Sequence, residues 1–563
     1  MTDSSSAFTI PLVGALARLG VRHVCITPGS RSTALALAFA DEPSVSDWSH
    51  HDERSSAFFA LGIARTLREP VAIVTTSGTA AAELHPALAE ARHARAALIA
   101  ITADRPFELR DLGAPQTMDQ QGLFGKTVKW AHDIEAAADV EPTRVVALAA
   151  RLVAEATDVP AGPVHLNVRY REPLMPSEEP PETPDPPAVV LARRDPSHDA
   201  IAEIATAAAG RRGMIVVGPQ NDPSVVTAAP LLAAAAGWPI LADALSGLRC
   251  GTHDRSAVVA AGDPLAWEGW LDRASPEFVV RVGALPTSKP IWQWLESARR
   301  VPQVLVEPAG WRDPMASATT VIRADPARTL EALAKTIDTP SDPSWLAAWR
   351  RADQAADDAI GAVLDEARFP NEPALARLVG RAAPDRSTLW VGSSMPVRDV
   401  DAFLESTDRR VRVMGNRGVN GIDGLISAAL GSAAASGGPT IVLAGDLSVL
   451  HDLGALATAG RLGIPATIVV INNDGGGIFH FLPQEGHPHF ERHFATPHGL
   501  DFTAVAPPLG VAAERIEDPE ALAEAIATTA PGPRLLEVRT DRGENVVLHR
   551  DLRAAVAGAI ADL

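Results

Sequence analysis

Short apolar runs rich in β-branched residues recur along the whole chain, each ending in a polar or glycine-containing turn and leading into a helix-forming stretch. Val71-Ala-Ile-Val-Thr75, Ala97-Leu-Ile-Ala-Ile-Thr102, Met214-Ile-Val-Val-Gly-Pro219, Phe278-Val-Val-Arg-Val282, Thr440-Ile-Val-Leu-Ala444 and Ala466-Thr-Ile-Val-Val-Ile471 are examples. A strand that is apolar on both faces must be covered on both, which is the condition of a parallel sheet with helices as crossovers. The pattern therefore predicts an α/β protein built from doubly wound, mainly parallel sheets flanked by helices. At 563 residues the chain exceeds one core and calls for about three domains. The rhythm breaks after Pro176, where Pro, Glu and Asp dominate without periodicity, as in a linker. The expected division is 1–180, a linker at 181–196, a central α/β domain at 197–340, and a last domain at 341–563.

The net charge of −19 argues against nucleic acid or an anionic membrane as partner, since either would be repelled. An acidic small substrate stays compatible with it if basic residues converge locally. Only Cys25 and Cys250 occur, both in apolar contexts, so inert core thiols in a reducing cytoplasm are expected. The start, Met1-Thr-Asp-Ser-Ser-Ser, has no basic segment followed by an apolar one, so no secretory signal is expected. The long uncharged windows Pro223–Ala242 and Gly424–Gly445 carry prolines or a Ser-Gly-Gly-Pro break. They read as helix–loop–strand segments, and no integral membrane segment is expected.

Chemistry concentrates between Gly445 and Leu482. Asp446 follows the strand 440–444, and open α/β sheets bind ligands at such carboxyl ends. Val449, Leu450, Leu453 and Leu456 predict one helix ending near Gly463. The next strand, 466–471, ends at Asn472-Asn473 and is followed by Asp474 and three glycines. Two oxygen-bearing side chains at neighbouring strand ends, with the carbonyl of Gly475, suit Mg²⁺, which is commonly held by few protein groups plus substrate phosphates. Glycines 475 to 477 let the backbone approach a bulky anion. Each part taken alone also fits a surface turn. Near the other end, Pro28-Gly-Ser-Arg-Ser-Thr33 joins a strand to a helix. It presents hydroxyls, N–H groups and a guanidinium together, as a carboxylate or phosphate receptor does, although an ordinary cap with a solvated Arg31 has the same residues. Gly125-Lys126-Thr127 is no P-loop, because Gln120 stands where glycine is required.

The order strand, Gly-Asp, helix, strand, Asn-Asn-x-Gly resembles the motif of thiamine diphosphate (ThDP) enzymes of the decarboxylase and acetolactate synthase superfamily. Leu447 replaces the usual third-position Gly. Gly-Asp-Leu-Ser with the later Gly-Gly-x-Ile-Phe resembles one branch, the SEPHCHC synthases of the menaquinone pathway (the MenD family). The resemblance is strongest at 27–33, 50–57, 102–124, 393–399, 415–424 and 445–482.

It implies a pyrimidine-binding domain, a central domain and a diphosphate-binding domain, with ThDP and Mg²⁺ or Mn²⁺ as cofactors. It also implies a transferase that decarboxylates 2-oxoglutarate and adds the resulting enamine to isochorismate in a 1,4 fashion, giving SEPHCHC. Glu53 is then the catalytic group that bonds the aminopyrimidine. Gln116 is an active-site polar group, within Gly113-Ala-Pro-Gln116, where Pro115 replaces the family's Asn. Asp446, Asn473 and Gly475 hold the metal, while Ser393, Ser394, Ile422, Leu447, Ser448, Gly476, Ile478 and Phe479 complete the cofactor site. Ser30, Arg31, Arg105, Gln116, Lys289, Arg398, Arg417, Phe479 and Leu482 face substrate; Lys289 is followed by Pro290, where some relatives have Arg. A homodimer is the minimum unit implied, and a tetramer is compatible with it. The rivals are a simple 2-oxo acid decarboxylase or acetolactate synthase, and a nucleotide-binding protein. The arginine count opposes the first, and the lack of Gly-x-Gly-x-x-Gly opening a helix opposes the second.

Overall fold

The structure, a computed structural model, describes residues 4–137, 139–175 and 183–563. Its strands form three six-stranded sheets, and every pairing between named strands is parallel. The first contains β1 (His23–Ile26), β2 (Ser46–Ser49), β3 (Val71–Thr75), β4 (Leu98–Asp104), β5 (Ala131–Glu135) and β6 (Val164–Arg169), in the order β2-β1-β3-β4-β6-β5. The second contains β7 (Gly213–Val217), β8 (Ile240–Ala242), β9 (Val258–Val259), β10 (Phe278–Val282), β11 (Gln303–Val306) and β12 (Thr320–Ile322), in the order β12-β11-β10-β7-β8-β9. The third contains β13 (Ser387–Val391), β14 (Val411–Met414), β15 (Thr440–Gly445), β16 (Thr467–Asn472), β17 (Ala512–Arg515) and β18 (Arg534–Arg539), in the order β14-β13-β15-β16-β18-β17.

Renumbered from one, the third sheet has the strand order of the first. Two sheets of one chain thus share a topology that their sequences do not repeat. In both, the second strand lies on one side of the first strand and the third on the other, which opens a crevice at the carboxyl ends of the first and third strands. The central strands are buried along their length, as the two-sided apolar runs require.

The chain packs as two compact units. One comprises Met1–Ala192, Asn416–Gly437 and Leu450–Ile464; the other comprises Arg193–Gly415, Gly438–Val449 and Pro465–Leu563. Within the first unit, the helix Glu53–Leu67 crosses the helix Leu425–Ser436 at backbone contact. A Cβ added to Gly62 would lie 1.8 Å from the carbonyl oxygen of Ala428, and one added to Gly431 would lie 2.0 Å from that of Phe59. Thr66 Oγ1 donates to Ser432 Oγ (2.8 Å) beside them.

Both uncharged windows are helix, loop and strand: Pro223–Ala236 then β8, and Leu425–Ser436 then β15. Among the described residues no helix is long and apolar enough to cross a membrane. Cys25 and Cys250 are buried and free. Residues 183–197 carry no helix or strand, and residues 181–182 of the expected linker, together with Pro176, lie outside the described residues.

One element departs from expectation. The single helix predicted from Val449 to Gly463 is two, Asp446–His451 and Gly454–Leu462. Between them, Asp452 turns inward and accepts from the Ser427 N–H (2.7 Å) and the Ser427 hydroxyl (2.9 Å). A buried carboxylate needs such donors, and holding it there competes with helix continuation. Burial still pushes its pKa up to about 6.

Candidate active site

In the second unit, β15 and β16 run in register with Gly445 opposite Ile471, so Asp446 and Asn473 leave neighbouring strands at their carboxyl ends. Asp446 is buried; its Oδ2 accepts from the Gly475 N–H (2.9 Å) and its Oδ1 from the Leu447 N–H (2.6 Å). Burial raises its pKa, opposed by those donors. The side chain of His498 stands against it, Nε2 lying 3.1 Å from Oδ2. Asn473 donates Nδ2 to Glu372 Oε1 (2.8 Å), while its Oδ1 is buried with no hydrogen-bond partner. Gly475 has φ +138°, and a Cβ there would lie 2.1 Å from the Ala495 carbonyl oxygen, so only glycine fits.

A divalent cation fits this set. A carboxylate whose ionised form is penalised by burial, an unpartnered amide oxygen and a glycine backbone are hard oxygen donors of the type Mg²⁺ and Mn²⁺ take. Among the described residues no group of three or more His, Cys, Asp or Glu side chains could hold a metal ion, so this set rests on one carboxylate, one amide oxygen and one backbone carbonyl.

Around the same strand ends lie Ser393 and Ser394, after β13, with Ser394 at φ +72° capping the helix Met395–Phe403. Leu447 and Ser448 open the helix after β15. Gly476 donates its N–H to the Ala495 carbonyl (2.7 Å), and Ile478 and Phe479 lie in the short 3₁₀ segment Gly477–Phe481. Phe479 meets Phe494 edge-on with centroids 5.7 Å apart, and Leu482 is 40% exposed. Arg398 and Lys289 are both exposed. Arg398 donates to the Ser394 carbonyl (2.5 Å), and Lys289 opens the helix Lys289–Ser297 after the cap Ser288. Buried Asp263 bonds Ser288, beside Lys289, and burial pushes its pKa up to about 6.

In the first unit, Arg31 and Arg105 sit close enough to repel. Burial, then Arg105, holds the Arg31 guanidinium below its ordinary value. Arg31 Nη1 donates to the Tyr170 carbonyl (3.0 Å), and its buried Nε has no partner. Ser30 and Arg31 lie in the 3₁₀ turn Ser30–Ser32 before the helix Thr33–Ala40. Arg105 donates to the Ser77 hydroxyl and to the Gln116 carbonyl (2.7 Å), and Gln116 Nε2 returns to the Ser77 carbonyl (3.2 Å). Arg31 Nη2 also stands 3.8 Å from Glu172 Oε1, and two half-buried guanidiniums within repelling range favour a further carboxylate. Gln120, which excluded a P-loop, holds the scaffold beneath. Its Oε1 accepts from the Gly78 N–H (2.8 Å) and its Nε2 donates to Asn167 Oδ1 (2.9 Å).

Glu53 begins its helix beside the cap Asp52, which accepts from the Ser55 N–H (3.1 Å). Arg54 donates to the His451 carbonyl (2.9 Å). Among the described residues no hydrogen bond or ion pair occupies the half-buried Glu53 carboxylate itself. The loop bearing Arg417 and Ile422, both half-buried, is gripped by Glu90, which is fully buried. Its carboxylate accepts from the N–H groups of Gly418 (2.8 Å), Val419 (2.7 Å) and Asn420 (3.0 Å). Arg65 donates to Asn416 Oδ1 (3.1 Å) at the start of that loop.

Three family models match the chain: the N-terminal TPP-binding domain of thiamine pyrophosphate enzymes over residues 11–123, the middle domain over 194–391, and the C-terminal TPP-binding domain over 402–538. The chain is 42% identical to the 2-succinyl-5-enolpyruvyl-6-hydroxy-3-cyclohexene-1-carboxylate synthase of Haloarcula marismortui, over 98% of each chain. It is 43% identical to that of Chloroflexus aurantiacus, over 97% of this chain and 95% of the relative. It is 41% identical to that of Geobacillus kaustophilus, over 100% and 99%. The chain belongs to the SEPHCHC synthase family.

As a SEPHCHC synthase family member it is an enzyme with thiamine pyrophosphate-binding domains. Glu90, Glu372 and His498 hold candidate residues or the loop that bears them and escaped the sequence reading. Each is a single polar residue in a run without a motif, so no local signal marked it.

Proposed function

We propose that this enzyme uses ThDP and Mg²⁺ or Mn²⁺ to decarboxylate 2-oxoglutarate and to join the remaining four-carbon unit to isochorismate by 1,4-addition, giving SEPHCHC for menaquinone biosynthesis. The observation that carries the reading is the set Asp446, Asn473 and Gly475 at neighbouring strand ends, with one amide oxygen left without a partner. ThDP, when bound, supplies the electron sink for decarboxylation. Asp446, Asn473 and the Gly475 carbonyl would hold the metal, which would supply charge neutralisation for the diphosphate. Ser393, Ser394, Leu447, Ser448, Gly476 and Ile478 line the rest of the cofactor site, and Ile422 gives it apolar support. Glu53 holds a proton at the aminopyrimidine ring nitrogen.

Arg31, Arg105, Lys289, Arg398 and Arg417 supply counter-charge for the carboxylates of the two substrates, and Ser30 and Gln116 add hydrogen bonds. Preorganised charge of this kind, rather than a protein nucleophile, is the protein's share of catalysis. Phe479 and Leu482 exclude water. The enzyme works in the cytoplasm as a homodimer or a higher assembly.

The test is to incubate the protein with ThDP, Mg²⁺ and 2-oxoglutarate, with and without isochorismate, following CO₂ release and isochorismate loss. Turnover that consumes both substrates together supports the reading. Turnover of pyruvate without isochorismate, and none of the pair, refutes it.

Glu90 gives a second check. Glu90→Gln keeps the volume but offers one acceptor oxygen to three N–H groups, and hydrogen bonds to a charged acceptor each contribute about 1.5–3 kcal/mol. The expected result is a fall in kcat/KM of about tenfold or more, carried mainly by a raised KM for a carboxylate substrate. Steady-state kinetics unchanged from wild type would separate Glu90 from the placement of Arg417.

A further inference from the structure

The Asn473 amide has two ends of nearly equal shape, and only one of them can serve a cation. An ion at this site needs the oxygen, since the NH₂ group donates and has no lone pair to offer. Asn473 lies after β16, and its Nδ2 donates to Glu372 Oε1 at 2.8 Å. Thr540 Oγ1 also donates to that oxygen, at 3.1 Å, so Oε1 acts as an acceptor there and the amide end facing it is the NH₂ group. The opposite end, Oδ1, is buried and has no hydrogen-bond partner.

Glu372 is itself held on three sides. It opens the helix Glu372–Ala382, behind the cap Asn371, whose Oδ1 accepts from the Ala374 N–H (2.8 Å). It is 1% exposed. Its Oε1 accepts a second bond from Thr540 Oγ1 (3.1 Å). Thr540 follows β18, and β16 pairs with β18 so that Asn472 is opposite Arg539. One carboxyl oxygen therefore spans two neighbouring strand ends from a rigid helix start.

We propose that Glu372 is the positioning residue of the metal site: it locks the Asn473 amide with its NH₂ group turned away from the ion and its oxygen free to coordinate. The proposal rests on the reading of Asn473 as a metal ligand. Partners of this kind, one bond behind a ligand, commonly change metal affinity by about 10–100-fold when removed.

The test uses the full-length protein with ThDP and Mn²⁺ as the probe, reading free Mn²⁺ by electron paramagnetic resonance and the melting temperature of the metal-free protein. Glu372→Ala is expected to raise the Mn²⁺ dissociation constant about 10–100-fold. Glu372→Gln, which keeps an acceptor oxygen, is expected to stay near wild type. Glu372→Met fills the same volume without an oxygen and carries the comparison if the Ala variant folds poorly. Asn473→Ala is the reference. If it weakens Mn²⁺ binding while Glu372→Ala and Glu372→Met bind as wild type and only melt lower, Glu372 is structural and the proposal is overturned. If Asn473→Ala binds Mn²⁺ as wild type does, the metal-site reading itself fails and takes the proposal with it.

Discussion

Glu53→Gln is expected to lose about 10²–10⁴-fold in turnover, the range for removing a group that handles a proton, while the protein keeps its fold. The fold survives because the helix start does not depend on Glu53. Asp52 caps it through the Ser55 N–H, and Arg54 ties it to the His451 carbonyl. Loss of a negative charge from the first turn costs only about 0.3–1 kcal/mol. The proposed role depends on Glu53 because an amide cannot share a proton with a ring nitrogen as a carboxyl group can. Turnover and melting temperature, measured on the same preparation, separate these effects. Full turnover in the variant would remove Glu53 from its proposed role, and a collapsed melting temperature would show that the helix start needs the carboxylate after all.

The other large effect is on stability. Gly62→Ala and Gly431→Ala are each expected to destabilise the protein by about 3 kcal/mol, the upper end of the usual cost of overpacking. In an open helix the same change stabilises by about 0.5–1 kcal/mol, since alanine loses less backbone freedom on folding. The sign reverses here because the new Cβ would lie 1.8 Å or 2.0 Å from a carbonyl oxygen of the facing helix, and a backbone atom cannot swing aside as a side chain can. Gly361→Ala is the control. It lies inside the helix Pro343–Glu366, where the nearest atom to an added Cβ is Arg377 Nη2 at 3.9 Å, so it should stabilise. Equal melting temperatures for all three variants would mean that the two helices do not cross at backbone contact. The crossing bears on the site because one helix begins at Glu53 and the other follows the loop that carries Arg417 and Ile422.

The third sheet and its turn were readable because their signals are local. Val442 and Leu443, apolar on both faces, define β15. Asp446 and Asn473 stand at its end and at that of β16, and three glycines follow. The turn that carries Arg31 was readable for the same reason, since its strand, turn and helix are contiguous. The split of the helix after Asp446 was not, because helical spacing through Leu456 is satisfied by one helix as well as by two. The deciding interaction is the bond from Ser427 to Asp452, made by residues far apart in sequence.

By itself the sequence determined the α/β class, the strand ends that bear Asp446, Asn473 and Ser393, and the resemblance to SEPHCHC synthases. Periodicity, glycine position and motif order are all properties of contiguous residues. Only the tertiary structure decided which polar groups hold those residues in place. It set Glu90 beneath Gly418, Val419 and Asn420, Glu372 behind Asn473, and Gly62 against Ala428. Such pairings depend on distances in space that no spacing along the chain encodes. Burial then makes them consequential, since an enclosed polar group without a partner has no water to turn to and an enclosed Cβ without room meets backbone that cannot move aside.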